Sequence, residues 1–116
     1  MIESILNSTK KSLGMDASYD AFDYDVLMQI NSAFSDLEQL GIGPANGYQI
    51  EGIDEKWVDF LGEDPRLNSV KNYVFLKTKL AFDPPSSGYG ITAIKEQIKE
   101  LEWRITIGHE ARQGGS

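Results

Sequence analysis

The sequence predicts an all-α fold: a small helical bundle with a short β-hairpin or extended loop inserted after the second helix. Three observations predict it. Apolar side chains recur at helical spacing in separate stretches of the chain. Helix-ending residues (Gly14, Gly41, Gly62, Pro84 and Pro85) stand just past those stretches. Only residues 41–53 look β-like, around the turn dipeptide Asn46-Gly47.

Taken in order, Ile2, Ile5, Leu6, Thr9 and Leu13 form one face of a first helix that Gly14 closes. A connector over residues 15–19 follows. Asp23 reads as the N-cap of the second helix, with Phe22 packing on Leu27 as a hydrophobic staple. Its apolar set is Val26, Leu27, Ile30, Ala33, Phe34, Leu37 and Leu40, and Gly41 with Ile42 suits a Schellman ending. Asn46-Gly47 then reads as a two-residue hairpin turn between residues 42–44 and 48–50, Pro44 demoting the first arm to an edge strand.

Asp54 is expected to cap a short helix carrying Trp57, Phe60 and Leu61, which Gly62 ends. The long helix within residues 64–85 is the most sharply bounded element. Asp64 fits its N-cap and Pro65 its first position, where no N–H is needed. Leu67, Val70, Tyr73, Val74, Leu80 and Ala81 form the stripe, Leu76 lies at its edge, and Pro84 and Pro85 stop the helix. After a joint over residues 86–90, the last helix starts between residues 87 and 92. Its seam is Ile91, Ile94, Ile98, Leu101 and Ile105. Leu76, Leu80, Ile98 and Leu101 are expected to pack between the long and last helices. The domain spans residues 1–107, and residues 108–116, glycine-rich and without an apolar run, are expected to be a flexible tail.

Totals exclude several functions. At 116 residues the chain makes one domain. It has no apolar run long enough to span a membrane and no signal-peptide pattern. Zero cysteines exclude disulfides and thiolate metal sites. With 11 basic against 18 acidic residues, a net charge of −7, the chain is not built to wrap nucleic acid.

No motif carries chemistry. The glycines at 41, 43 and 47 superficially suggest a dinucleotide fingerprint, but the third falls one place late. Asp16, Asp20, Asp23 and Asp25 lack the central glycine and closing glutamate of a calcium loop. The single histidine, His109, has no second ligand or nucleophile paired with it. A non-enzymatic protein with no cofactor and no metal is expected.

Two features suggest contacts instead. Lys77 sits within the apolar stripe of the long helix, so it either snorkels to water or meets an acid, in the fold or on a neighbouring copy. Trp103 and Ile107 lie one turn apart, off the isoleucine seam, and Phe75 stands off the long helix's stripe. These three are candidate subunit contacts, unless a third helix covers them. Pro44, Asn46, Gly47, Tyr48 and Ile50 join them, because a hairpin edge leaves backbone groups unpaired.

Phe82-Asp83-Pro84-Pro85 follows the long helix, and residues 96–104, EQIKELEWR, lie in the last. This arrangement resembles the small head–tail connector (adaptor, head-completion) proteins of long-tailed bacteriophages. The resemblance spans the first helix to about residue 107, and its motifs are packing motifs. It implies a structural protein of the virion neck, assembled in the host bacterial cytoplasm. Such proteins form a ring of about twelve copies below the portal. The ring extends the channel, lets DNA pass without tight binding, and docks the next head-completion or tail protein. The resemblance supplies no catalytic residues. Within the tail, His109 and Arg112 are candidate portal-binding residues. The competing class is a small acidic helical protein-binding or regulatory module.

Overall fold

The computed structural model describes residues 4–114, with side chains through residue 107. Among these lie five helices: α1 (Ile5–Ser12), α2 (Asp23–Gln39), α3 (Trp57–Leu61), α4 (Leu67–Phe82) and α5 (Gly88–Gly114). No strand forms among the described residues; the one β-type pairing is an isolated antiparallel bridge between Ser4 and Lys56. The all-α expectation holds and the hairpin does not.

The helix ends show which sequence signals act. Both α1 and α2 close in Schellman motifs. Met15 N–H donates to Lys10 C=O (2.9 Å) and Gly14 N–H to Lys11 C=O (3.0 Å). Ile42 N–H donates to Leu37 C=O and Gly41 N–H to Glu38 C=O, both at 2.9 Å. Gly14 and Gly41 take φ of 83° and 81°, which suits glycine best. Ser87 starts α5, its hydroxyl accepting from Gly90 N–H at 3.0 Å.

The expected acidic N-caps are corrected. Phe22, not Asp23, occupies the cap position of α2, which removes the geometry for a staple to Leu27; the Phe22 ring instead lies against Tyr19 and Phe82. Lys56, not Asp54, precedes α3, with its N–H held by the Asp59 carboxylate at 2.9 Å. Helix α4 begins two residues later than Pro65. Asp64 accepts from Arg66 N–H (2.8 Å) and, through its carbonyl, from Leu67 N–H (3.0 Å), so it caps a turn leading into the helix.

Helix α4 is the centre: it touches α1, α2, α3 and α5, most extensively α2 and α5. Its Val70, Tyr73, Val74 and Thr78 are fully buried. Around them pack Ile5 and Leu6 of α1, Val26, Ile30, Ala33, Phe34 and Leu37 of α2, Trp57 and Phe60 of α3, and Ile94, Ile98 and Ile105 of α5. Leu76 and Leu101 line one groove between α4 and α5. Leu80 is displaced from the expected position, lying with Gln29, Ala33 and Asp36 on the α2 side, and Ala81 is exposed.

Lys10 on α1 is wholly buried, at 0% exposure. Its ammonium donates to Ala17 C=O at 2.9 Å and meets Asp23 Oδ1 at 2.7 Å, in a charge contact whose angle falls outside hydrogen-bond geometry. This interaction explains why Asp23 does not cap α2, and it fastens the 15–22 connector to α1. Asp23→Asn is expected to cost about 3 kcal/mol by stripping a buried charge of its partner. Lys10→Met, similar in length and uncharged, should cost much less; urea unfolding of both variants is the check.

Tyr73 donates its hydroxyl to Glu102 Oε2 at 2.9 Å, tying the middle of α4 to α5. Burial, then the Glu102 hydrogen bond and charge, holds the phenol well above its usual value. The folded state therefore binds this proton more tightly than the unfolded chain. The resulting stability is complete below the unfolded value, about pH 10, and is lost as pH rises above it. Tyr73→Phe should cost about 1.5 kcal/mol near neutral pH and flatten the alkaline fall in urea midpoint.

Candidate functional site

Residues 41–56 form an extended loop pinned to the bundle. Pro44 C=O accepts from Gly47 N–H at 3.0 Å, so Gly47 closes the turn as its last residue. The expected hairpin turn needs φ > 0 at both Asn46 and Gly47. Only Gly47 has it, at 85°. Gly43 lets the loop approach α3 closely: a Cβ there would lie 2.5 Å from the Phe60 ring.

The backbone groups that an edge strand would leave open are partly taken by side chains. Asn31 of α2 clamps Ile50 on both sides: its Nδ2 donates to Ile50 C=O (3.0 Å) and its Oδ1 accepts from Ile50 N–H (2.8 Å). Glu55 accepts from Glu51 N–H at 2.8 Å, and Glu55 C=O accepts from Ile5 N–H at 3.0 Å. Trp57 Nε1 donates to Ser8 Oγ at 2.8 Å.

Several candidate contact residues consequently belong to the monomer's own packing. Ile50 is 1% exposed. Tyr48 is half-buried, its ring 5.4 Å from Phe34 and 5.3 Å from Phe60. Burial raises its phenol pKa, with Asp59 and Glu55 adding to the shift. Phe75 packs edge-on to Trp57 at 5.8 Å, α3 supplying the third helix. Pro44 and Asn46 are exposed, and Gly47 lies beside the Glu38 carboxylate.

Lys77 finds its acid inside the fold, Asp36 at 2.7 Å, and lies 5.7 Å from the centre of the Tyr73 ring. Both partners of this pair are partly exposed; the wholly buried lysine is instead Lys10, absent from the expected apolar face of α1. Its signal was available: Lys10 stands four residues after Leu6 and three before Leu13, on the apolar face itself.

Open apolar surface concentrates elsewhere. Trp103 is 63% and Ile107 44% exposed on α5. Tyr19 and Phe22, 50% and 42% exposed, lie ring to ring, and Phe22 meets Phe82 edge-on at the C-terminal end of α4. A groove of about 400 Å³ runs between α4 and α5, lined by Asn72, Phe75, Leu76, Gln97 and Leu101 among others. The backbone of α5 continues to Gly114, past the expected tail boundary. The side chains of His109 and Arg112 lie outside the described residues. Phe82 is half-buried, while Asp83 and Pro84 are exposed at the end of α4.

Among the described residues no group of three or more His, Cys, Asp or Glu side chains could hold a metal ion, and no helix is long and apolar enough to cross a membrane.

A family model described as phage connector protein matches residues 5–112. No curated protein and no solved structure matches the chain.

Asn31→Ala should cost about 1–3 kcal/mol, because it leaves the Ile50 N–H and C=O unpaired. It should also speed hydrogen exchange at the Ile50 amide selectively over amides in α4. Equal exchange rates in the variant and the parent would contradict the clamp.

Proposed function

From the premise that the chain belongs to the phage connector family, and is thus a structural component of a virion, we propose that it is a head–tail connector forming a ring below the portal. The match over residues 5–112 carries this reading, because it takes in every helix from α1 to most of α5. The ring extends the DNA channel at the neck and docks the next head-completion or tail protein. Its copy number is about twelve, set by a closed cyclic arrangement on the portal. The domain through residue 107 supplies the ring, and residues 108–116, with His109 and Arg112, attach to the portal.

The chemistry suits a passage rather than a grip on DNA. A net charge of −7 opposes counterion-releasing contacts with phosphate. The exposed Trp103 and Ile107 are suited to protein contact.

The test combines the purified chain with the portal of the same phage and images the product. A ring of the chain seated on the portal is expected. Deleting residues 108–116 should leave the melting temperature unchanged and weaken portal attachment. A chain that leaves the portal bare contradicts the connector reading. Duplex DNA should bind weakly and without a steep dependence on salt; a steep counterion-release slope would contradict passage without tight binding.

A further inference from the structure

Two open aromatic surfaces lie apart along the α4–α5 pair, one at the C-terminal end of α4 and the other level with its middle. Helix α5 leaves the proline turn after α4 and runs back along it, so that Glu102 meets Tyr73. Phe82 lies nine residues from Tyr73 along α4, whereas Trp103 follows Glu102 directly. At the helical rise per residue the two surfaces are roughly 15 Å apart along the pair.

The first surface is the corner of Tyr19, Phe22 and Phe82, whose rings lie in successive contact at 5.9 and 5.5 Å. Its chain segment is strongly acidic. Residues 16–25 carry Asp16, Asp20, Asp23 and Asp25, and no Lys or Arg occurs between Lys11 and Lys56. Lys10 matches Asp23, while Asp20 and Asp25 are exposed and form no salt bridge among the described residues.

The second surface is the stripe of Trp103 and Ile107 with Arg104 beside it. Arg104 is held by Glu100 at 3.1 Å, in an exposed pair one turn apart that contributes little. Residues 88–116 contain four basic and four acidic residues, so the whole charge of −7 resides in residues 1–87. The stripe is thus apolar, locally neutral and able to offer a cation.

We propose that these surfaces are the two halves of one contact between copies. The Trp103 and Ile107 stripe of one copy seats on the Tyr19, Phe22 and Phe82 corner of the next, with Arg104 turned to Asp20 and Asp25. This rests on the ring reading above and adds which faces meet. Corner against corner sets acid against acid. Stripe against stripe is self-complementary and closes at two copies. Corner against stripe joins unlike faces and therefore propagates from copy to copy, closing into a ring when the rotation between copies closes.

Propagation through unlike faces has a specific signature. A corner variant (Tyr19→Ser with Phe22→Ser) and a stripe variant (Trp103→Ser) should each remain monomeric at concentrations where the parent chain assembles. Mixed in equal amounts they should form a one-to-one heterodimer, because one intact corner and one intact stripe remain. Light scattering and cross-linking of the full chain read this directly, with circular dichroism confirming that each variant is folded. Should the aromatic corner variant unfold, Asp20→Lys with Asp25→Lys takes its place at exposed positions. Normal assembly of either folded variant overturns the pairing, as does a mixture that stays monomeric. Those outcomes leave the ring reading intact. A parent chain that assembles neither alone nor on the portal overturns both.

Discussion

A helix touched by four others has little surface left for water, and α4 is such a helix. Apart from the fully buried Thr78 hydroxyl, which has no hydrogen-bond partner among the described residues, polar groups on it find partners inside the molecule or leave toward an edge. Tyr73 does the first, its hydroxyl reaching Glu102 of α5. Lys77 does both, crossing the Tyr73 ring to Asp36 of α2 at a partly exposed position. The Tyr73–Glu102 bond thereby favours one rotation of α5 about α4, and the partly exposed Lys77–Asp36 pair adds a weaker preference on the α2 side. Apolar burial holds the helices together, and these polar bonds select one arrangement among those that bury similar area.

Lys10 is a second constraint of this kind, at the end of the bundle where no helix covers the connector. Its charge, with no access to water, requires both Asp23 and the Ala17 carbonyl. Those partners hold the chain between α1 and α2 in place although its residues are largely exposed. A short loop anchored on the core by Leu13 and Met15 is thus further ordered by an ion, an arrangement that depends on keeping both partners together.

Much of the fold is legible locally. The Schellman endings at Gly14 and Gly41, the proline stop after Phe82 and the burial of Ile94, Ile98 and Ile105 follow from residues close together in the chain. The misplaced features depend on partners far away. Asp23 has the chemistry of an N-cap, but a buried ammonium outcompetes a backbone N–H for its carboxylate. Asn46-Gly47 favours a hairpin, yet the Asn31 clamp on Ile50 spans 19 residues and secures a different loop path. Candidate contacts fared unevenly for the same reason. Phe75 stands off the stripe of its helix, and Tyr48 and Ile50 belong to the expected hairpin, but α3 and the loop complete the core around them. A domain this small has to use its loops as well as its helices to bury enough apolar surface. Trp103 and Ile107 stay outside because no element of the described chain reaches the outer side of α5.

Charge then bears on which surface could hold copies together in the proposed ring. Identical proteins of charge −7 repel, and at physiological salt that repulsion acts over about 8 Å. It therefore falls mainly on the groups nearest the contact. An assembly of such copies is favoured where at least one of the meeting faces carries no net charge, and α5, with its balanced lysines, arginines and glutamates, is that face. A more basic α5 would attract the acidic corner more strongly, but it would attract phosphate as well. In the proposed ring, balanced charge with apolar grip would separate the two tasks: the exposed Trp103 and Ile107 would hold a neighbour through burial, while the acidic body would leave a passing polyanion without a handhold. Under the proposed pairing, specificity for a neighbouring copy would come from matching one exposed arginine to a few exposed acids, an interaction too small to retain DNA yet directional enough to set which faces meet.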